Sequence, residues 1–363
     1  MKNIIYEIKC WWNSIDKFIL FSTVFLITIG FILVFSASQI TASKYGWDQN
    51  YLLKKQIIFG LSGILVILLL TTFSIKNLII LCCFTLFISS ILSLVAVLFF
   101  PELKGASRWV KLFNFSFQPS EFLKPSFIVV SSLLLNRYKN KEDNSLIFNI
   151  IILVVISSIL LIQPDFGMFL LLVSIWFLNL LITQTSIKVI YLTLLSFVIT
   201  FLSCYFLLEH VQFRINNFFF NIGDNYQISK SLDSIQNGGL FGKGIGQSEI
   251  SKNLPDVQSD FIFALAVEEL GMIFVFFILL VYLFIYYRIY IISLREKNFF
   301  IFSSLFGLSS ILILQTLINI SSSLNLLPTK GMTLPFISYG GSSMISCSII
   351  VGLLLSLTKK NNE

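Results

Sequence analysis

Apolar residues in this chain fall in long runs, with no trace of the period of a half-buried helix or strand. Stretches 24–35, 63–70, 86–100, 147–162, 168–182 and 271–287 are overwhelmingly apolar, and a helix apolar on all sides has to be covered on all sides, by protein or by lipid. A bilayer span needs about 20 such residues. Lipid obliges each span to satisfy its own backbone groups, which in so continuous a pattern leaves the helix. Only 12% of residues are charged against 56% hydrophobic, about half the charged share of a soluble domain. The fold class expected is all-α: a polytopic integral membrane helical bundle.

Polar breaks between the runs mark about ten transmembrane helices, near 18–38, 53–72, 77–100, 120–136, 146–162, 167–183, 188–208, 260–288, 299–323 and 336–358. The whole chain, 1–363, is read as a single membrane domain with one large extracytoplasmic loop at about 209–259, between the seventh and eighth spans. An even count puts both termini on one face. The compact basic clusters at 137–141 and 288–297 lie in short loops on that face, and by the positive-inside rule it is cytoplasmic. The first span serves as an uncleaved targeting segment, because no small-residue cleavage site follows it. The net charge of +7 reflects those loops and does not point to nucleic acid. Cys10, Cys82, Cys83, Cys204 and Cys347 show no metal-ligand spacing, and the adjacent Cys82 and Cys83 read as small apolar residues rather than a redox pair.

Ionisable side chains at membrane depth are costly and are functional by default, so the clusters that interrupt the apolar pattern carry the argument. The first holds Lys104, Arg108, Trp109 and Lys111, then Gln118-Pro119-Ser120-Glu121 and Lys124-Pro125. Ser120 reads as a helix N-cap with Glu121 in the first turn. Glu121 and Lys124, three apart, face the same way on a helix, either as a structural ion pair or as the lining of a cavity. Arg108 and Lys111 face headgroups or an anionic ligand. The second cluster, Gln163-Pro164-Asp165-Phe166-Gly167, breaks two spans, and Asp165 caps a helix or helps to build a polar cavity. The third runs from Leu254 to Gly271. Asp260 opens the eighth span there, either as a cap of its first turn or as part of an acidic stripe with Glu268, which lies within about 80° of it on an ideal helix.

Two further stretches are rich in glycine. Residues 238–246, Gly-Gly-Leu-Phe-Gly-Lys243-Gly-Ile-Gly, lack the Ser or Thr of a nucleotide-binding loop and follow no strand. Residues 327–343 hold two prolines, three glycines and Ser338 beside an apolar run, the pattern of a broken segment that lines a cavity. Together these features imply an outward-facing polar cavity within a helical bundle. They do not separate an enzyme from a transporter.

The segments at 104–125, 163–167, 214–246, 254–271 and 326–343 resemble, in order and nearly end to end, the signature blocks of the SEDS family (shape, elongation, division and sporulation). Residues 327–333 and 121–125 look more like its division members than its elongation members. Gln258-Ser259 stands where the family commonly has His-Thr, and Met168 where it often has Thr. The resemblance implies ten helices with cytoplasmic termini, in the bacterial inner membrane at the division septum. It implies a peptidoglycan glycosyltransferase that polymerises lipid II, paired with a class B penicillin-binding protein, the division transpeptidase, among other divisome proteins. It also implies that Asp260 is catalytic and that Arg108, Glu121, Lys124 and Asp165 serve the cavity or the activity.

The chemistry expected on that basis is an inverting transfer. Asp260 is the general base for a GlcNAc 4-hydroxyl that attacks the anomeric carbon of a MurNAc carried on undecaprenyl pyrophosphate. Positive charge for the leaving pyrophosphate comes from Arg108, Lys111, Arg214 or Lys243, or from a divalent cation such as Mg2+. No nucleotide or redox cofactor is needed. A lipid II flippase would use the same cavity, and a non-catalytic scaffold that recruits the transpeptidase would require neither Asp260 nor the Glu121–Lys124 pair.

Overall fold

The structure is a computed structural model. It describes residues 2–73, 76–99, 108–112, 115–142, 144–220, 226–328 and 331–359. Lys104 and Lys330, and the side chain of Lys111, lie outside the described residues.

Helices dominate. In chain order they are α1 (Lys2–Ser14), α2 (Lys17–Tyr45), α3 (Tyr51–Thr72) and α4 (Lys76–Val97), then a small antiparallel hairpin of β1 (Val110–Leu112) and β2 (Phe115–Phe117). After it come α5 (Pro119–Lys139), α6 (Asn144–Ile162), α7 (Phe166–Ile182), α8 (Ile187–Leu207), α9 (Glu209–Phe220) and α10 (Tyr226–Gly238). The chain ends with α11 (Ile262–Leu270), α12 (Met272–Leu294), α13 (Phe299–Ser323) and α14 (Gly341–Leu357). Among the described residues seven helices are long and apolar enough to cross a membrane: α2, α3, α4, α6, α8, α12 and α13. The apolar α7 and α14 are shorter, and α5 carries Glu121, Lys124, Arg137 and Lys139. The chain is a multi-pass helical membrane protein.

The least lipid-exposed helices form the middle of the bundle. α5 packs on α4, α6, α13 and α14; α13 also packs on α7 and α12, and α14 on α3. α5 shows how so polar a helix is held there. Pro125 has no N–H to donate to the carbonyl four residues back, which is that of Glu121. The Ser346 hydroxyl of α14 supplies the missing donor at 2.6 Å.

Three expectations are corrected. The eighth span does not run 260–288. The chain breaks at Gly271, whose φ of +87° favours glycine, and a Cβ there would run into the backbone of Leu240 to Gly242. α11 is thus a separate, buried nine-residue helix, and α12 is the span. Ser120 is not the N-cap of α5: that position is Gln118, with Pro119 at the start of the helix, where its fixed φ is pre-organised. The last helix begins at Gly341, not near 336. Residues 331–340 run through the interior as irregular chain, as the broken-segment reading requires.

Candidate active site

A polar cavity of about 780 Å3 lies where α3, α5, α7, α13 and the irregular 331–340 segment converge, with Asp260 on its wall. Its innermost polar feature is the Glu121–Lys124 pair. The ammonium lies 2.7 Å from the Glu121 carboxylate, and the Lys124 and Glu121 side chains are 0% and 7% exposed. A buried charge pair needs its remaining bonds met, and Lys124 also donates to Gln315 Oε1 at 2.9 Å. Gln315 passes the connection on through Nε2 to the Thr333 carbonyl and hydroxyl, at 3.0 and 3.2 Å. Thr333 meets the Ser343 hydroxyl at 2.6 Å. The two readings of the pair are therefore compatible, since it is an internal ion pair and it lines the cavity.

Asp165 likewise does both things expected of it. It caps α7, accepting from Met168 N, and it also accepts from Gln118 Nε2 at 3.2 Å and the Ser120 hydroxyl at 3.5 Å. Across from it Arg108 donates Nε to the Gln163 carbonyl at 3.4 Å and a terminal amine to the Pro164 carbonyl. Those carbonyls close the α6 end, where the helix dipole favours a cation. Trp109 sits beside Arg108 at the mouth, with Tyr51 and Lys55 of α3.

Asp260 stands just before α11, on a turn fixed from three directions. Its N–H donates to the Asp256 carbonyl at 3.1 Å, and its own carbonyl accepts from Asn319 Nδ2 at 3.0 Å. The Ser259 carbonyl accepts from the Ser338 hydroxyl at 2.6 Å and the Gln258 carbonyl from Tyr339 N at 2.8 Å. Its half-buried carboxylate faces Gly331, where an added Cβ would come to 3.3 Å of Oδ2. Asn319 also donates to the Met332 carbonyl at 2.6 Å, so one amide ties this turn to the broken segment.

Arg214 of α9 borders a neighbouring cavity of about 990 Å3 with His210. Burial and the Arg108 charge lower its pKa, while Asp165 and Asp260 act the other way. Arg214 therefore lies within electrostatic reach of both carboxylates.

Besides Arg214, three further candidates lie outside the main cavity. Ser338 does not line the main cavity; it is buried, accepting from Leu334 N at 2.8 Å while holding Ser259, and its part is to position the Asp260 turn. Lys243 is exposed, in a loop whose backbone pairs with α11: its N–H donates to the Glu268 carbonyl at 2.8 Å. Glu268 is fully buried and turned toward the outer loop. One of its oxygens accepts from Asn237 Nδ2, Glu249 N and Ile250 N, each at 2.9 Å, and the other from Ser251 N at 2.9 Å and the Ser251 hydroxyl. Burial alone would raise its pKa, but the bonds from Ser251, Ile250 and Asn237 outweigh burial and lower it. The acidic stripe does not form, because Asp260 precedes the helix and Glu268 is a loop clamp.

Sequence reasoning misses Gln315 and Asn319. Their signal is present: two amides one turn apart on an otherwise apolar helix share a face and need partners. Among the described residues no group of three or more His, Cys, Asp or Glu comes together to hold a metal ion.

Residues 17–363 match the family described as "Cell cycle protein", the FtsW, RodA and SpoVE group. The chain belongs to this family. It is 33% identical over 359 residues to the probable peptidoglycan glycosyltransferase FtsW of Caulobacter vibrioides, covering 96% of this chain and 90% of that protein. It is 31% identical over 361 residues to stage V sporulation protein E of Bacillus subtilis, covering 96% and 98%. Relatives named FtsW recur, as in Hydrogenovibrio crunogenus at 32% identity over 368 residues, covering 96% of this chain and 92% of that one. They favour the FtsW branch. The fold is shared with a chain of a structure described as "Structural coordination of polymerization and crosslinking by a peptidoglycan synthase complex", with a TM-score of 0.78 at 21% identity, covering 95% of this chain and 98% of that one. It is shared also with RodA of Thermus thermophilus, with a TM-score of 0.69 at 23% identity, covering 96% and 97%. The FtsW, RodA and SpoVE family thus supplies the fold that the apolar runs implied.

Proposed function

We propose that the chain is a peptidoglycan glycosyltransferase that polymerises lipid II for septal wall synthesis, with Asp260 as general base. The observation that carries this reading is Asp260 on the wall of a polar cavity whose far side holds a buried Glu121–Lys124 pair. The relatives' FtsW names give the reaction class.

In the reaction the acceptor GlcNAc 4-hydroxyl gives its proton to the Asp260 carboxylate as its oxygen bonds to the MurNAc anomeric carbon. The bond from that carbon to undecaprenyl pyrophosphate breaks on the opposite side, which inverts the centre. The proton then passes from Asp260 to water. The negative charge gathering on the leaving diphosphate is met by Arg108, which the Gln163 and Pro164 carbonyls hold in place before the charge develops, and by Arg214 from the neighbouring cavity. Lys111 stays a candidate for the same task. Glu121 and Lys124 act by holding α5 and, through Gln315, the 331–333 wall.

The same reading includes ten spans in one membrane domain, cytoplasmic termini, and a class B penicillin-binding protein as partner. The shared fold with a chain of a peptidoglycan synthase complex, in which polymerization and crosslinking are coordinated, supports the last of these. The test is conversion of lipid II to long glycan strands by the purified protein with its transpeptidase, the latter acylated by a β-lactam. Strands support the polymerase. Lipid II binding without strands moves the flippase or the scaffold ahead.

A further inference from the structure

α14 begins at the candidate active site, with Gly341 to Ser343 on its wall. It ends about 25 Å away, at 1.5 Å per residue over 17 residues, at a different cavity. This one, of about 620 Å3, opens between the start of α2 and the ends of α12 and α14. Four cations line it, Lys17, Arg288, Arg295 and Lys359, against two carboxylates, Asp16 and Glu296. Asp16 is already engaged, since it caps α2 and accepts from Arg288 Nε at 2.8 Å. Among the described residues no carboxylate forms an ion pair with Lys17, Arg295 or Lys359. Burial lowers the Lys359 pKa below the ordinary lysine value, the effect of a cation partly withdrawn from water.

The same cavity has an apolar rim. Phe18, Phe284 and Tyr287 line it and are exposed, with Phe18 and Phe284 packed edge to face at 6.4 Å. Exposed Phe21 and Leu283 continue that surface along the lipid-facing sides of α2 and α12. A ligand that suits both parts has an anionic head and an apolar tail, and basic pockets between membrane helices take phospholipid headgroups in this way.

We propose that this cavity binds the phosphate headgroup of an anionic phospholipid from the leaflet on the side of the termini, its acyl chains lying along the exposed faces of α2 and α12. The leaflet's own lipid thereby steadies the end of α14 whose other end borders the candidate active site.

The test counts bound lipid by native mass spectrometry. Purified protein is titrated with phosphatidylglycerol or with phosphatidylcholine of the same acyl chains. The variant Lys17→Gln/Arg295→Gln/Lys359→Gln is compared with Lys54→Gln/Lys230→Gln/Lys252→Gln, which removes as many charges elsewhere. Phosphatidylglycerol should bind in preference. Each basic residue near a membrane surface contributes roughly fivefold, so the first variant should bind on the order of a hundredfold more weakly and the second like wild type. Should the first variant not fold, exposed Arg295→Gln alone should weaken binding roughly fivefold. Equal binding of the two lipids, or equal losses in the two triple variants, overturns the proposal. Displacement of phosphatidylglycerol by inorganic phosphate or glycerol phosphate alone shows a site for free anions and overturns the lipid.

Discussion

The Ser346 hydroxyl bonded to the Glu121 carbonyl at 2.6 Å exists because of Pro125, and that dependence can be measured. Ser346→Ala removes a donor to a buried carbonyl, in a helix whose own N–H at that place is missing. A buried acceptor left unpaired costs about 1–3 kcal/mol, and we expect Ser346→Ala to destabilise the protein by about that much. Pro125→Ala restores the N–H of residue 125, which closes onto the Glu121 carbonyl in the ordinary helical pattern. In that background Ser346→Ala should cost no more than about 0.5 kcal/mol, a contact loss only. The double-mutant cycle therefore carries a coupling of about 0.5–3 kcal/mol, against a scatter of about 0.3–0.5 kcal/mol for independent sites. Reversible unfolding in mixed micelles of mild detergent and dodecyl sulfate gives all four free energies. Equal costs of Ser346→Ala in the two backgrounds would refute the reasoning, because the hydroxyl would then not be standing in for the missing amide.

Other expectations follow from the same contacts. Lys124→Met leaves the Glu121 carboxylate buried and unpaired and should cost about 3–5 kcal/mol, most of it recovered in Glu121→Gln/Lys124→Met, as read by the same unfolding assay. Asn319→Leu frees the Asp260 turn and the Met332 carbonyl together and should lower kcat about 10²-fold with little change in lipid II binding, the pattern of a misplaced reacting group. Glu268 has a lowered pKa in the folded state, so its clamp is fully present above the ordinary glutamate range. Its contribution is lost as pH falls through the lowered value. Glu268→Gln should flatten that acid limb in a series of melting curves.

Much of this arrangement is legible in the residues, and the failures have identifiable causes. The span expected at 299–323 has the bounds of α13, because a charged loop precedes it and its apolar run is unbroken. The Glu121–Lys124 pair is legible from a spacing of three, since helix geometry alone brings such residues together. The eighth span is overextended because Gly271 sits inside an apolar run, where hydropathy does not register a positive φ. Glu268 looks like a cavity acid because its partners at 249–251 are mostly backbone N–H groups of an irregular loop, which no periodicity reveals. Gln315 and Asn319 escape a reading weighted toward side chains that titrate, while the geometry of the Asp260 turn depends on amides.

The most direct test of the base assignment is the rate of lipid II polymerisation by Asp260→Asn against wild type, each purified with the β-lactam-acylated transpeptidase and with no other glycosyltransferase present. Asparagine keeps the shape of the turn but cannot take the proton. The rate should fall about 10²–10⁴-fold while lipid II binding and thermal stability stay at the wild-type level. Equal rates from the two proteins would contradict the account and leave Asp260 a residue of the turn alone.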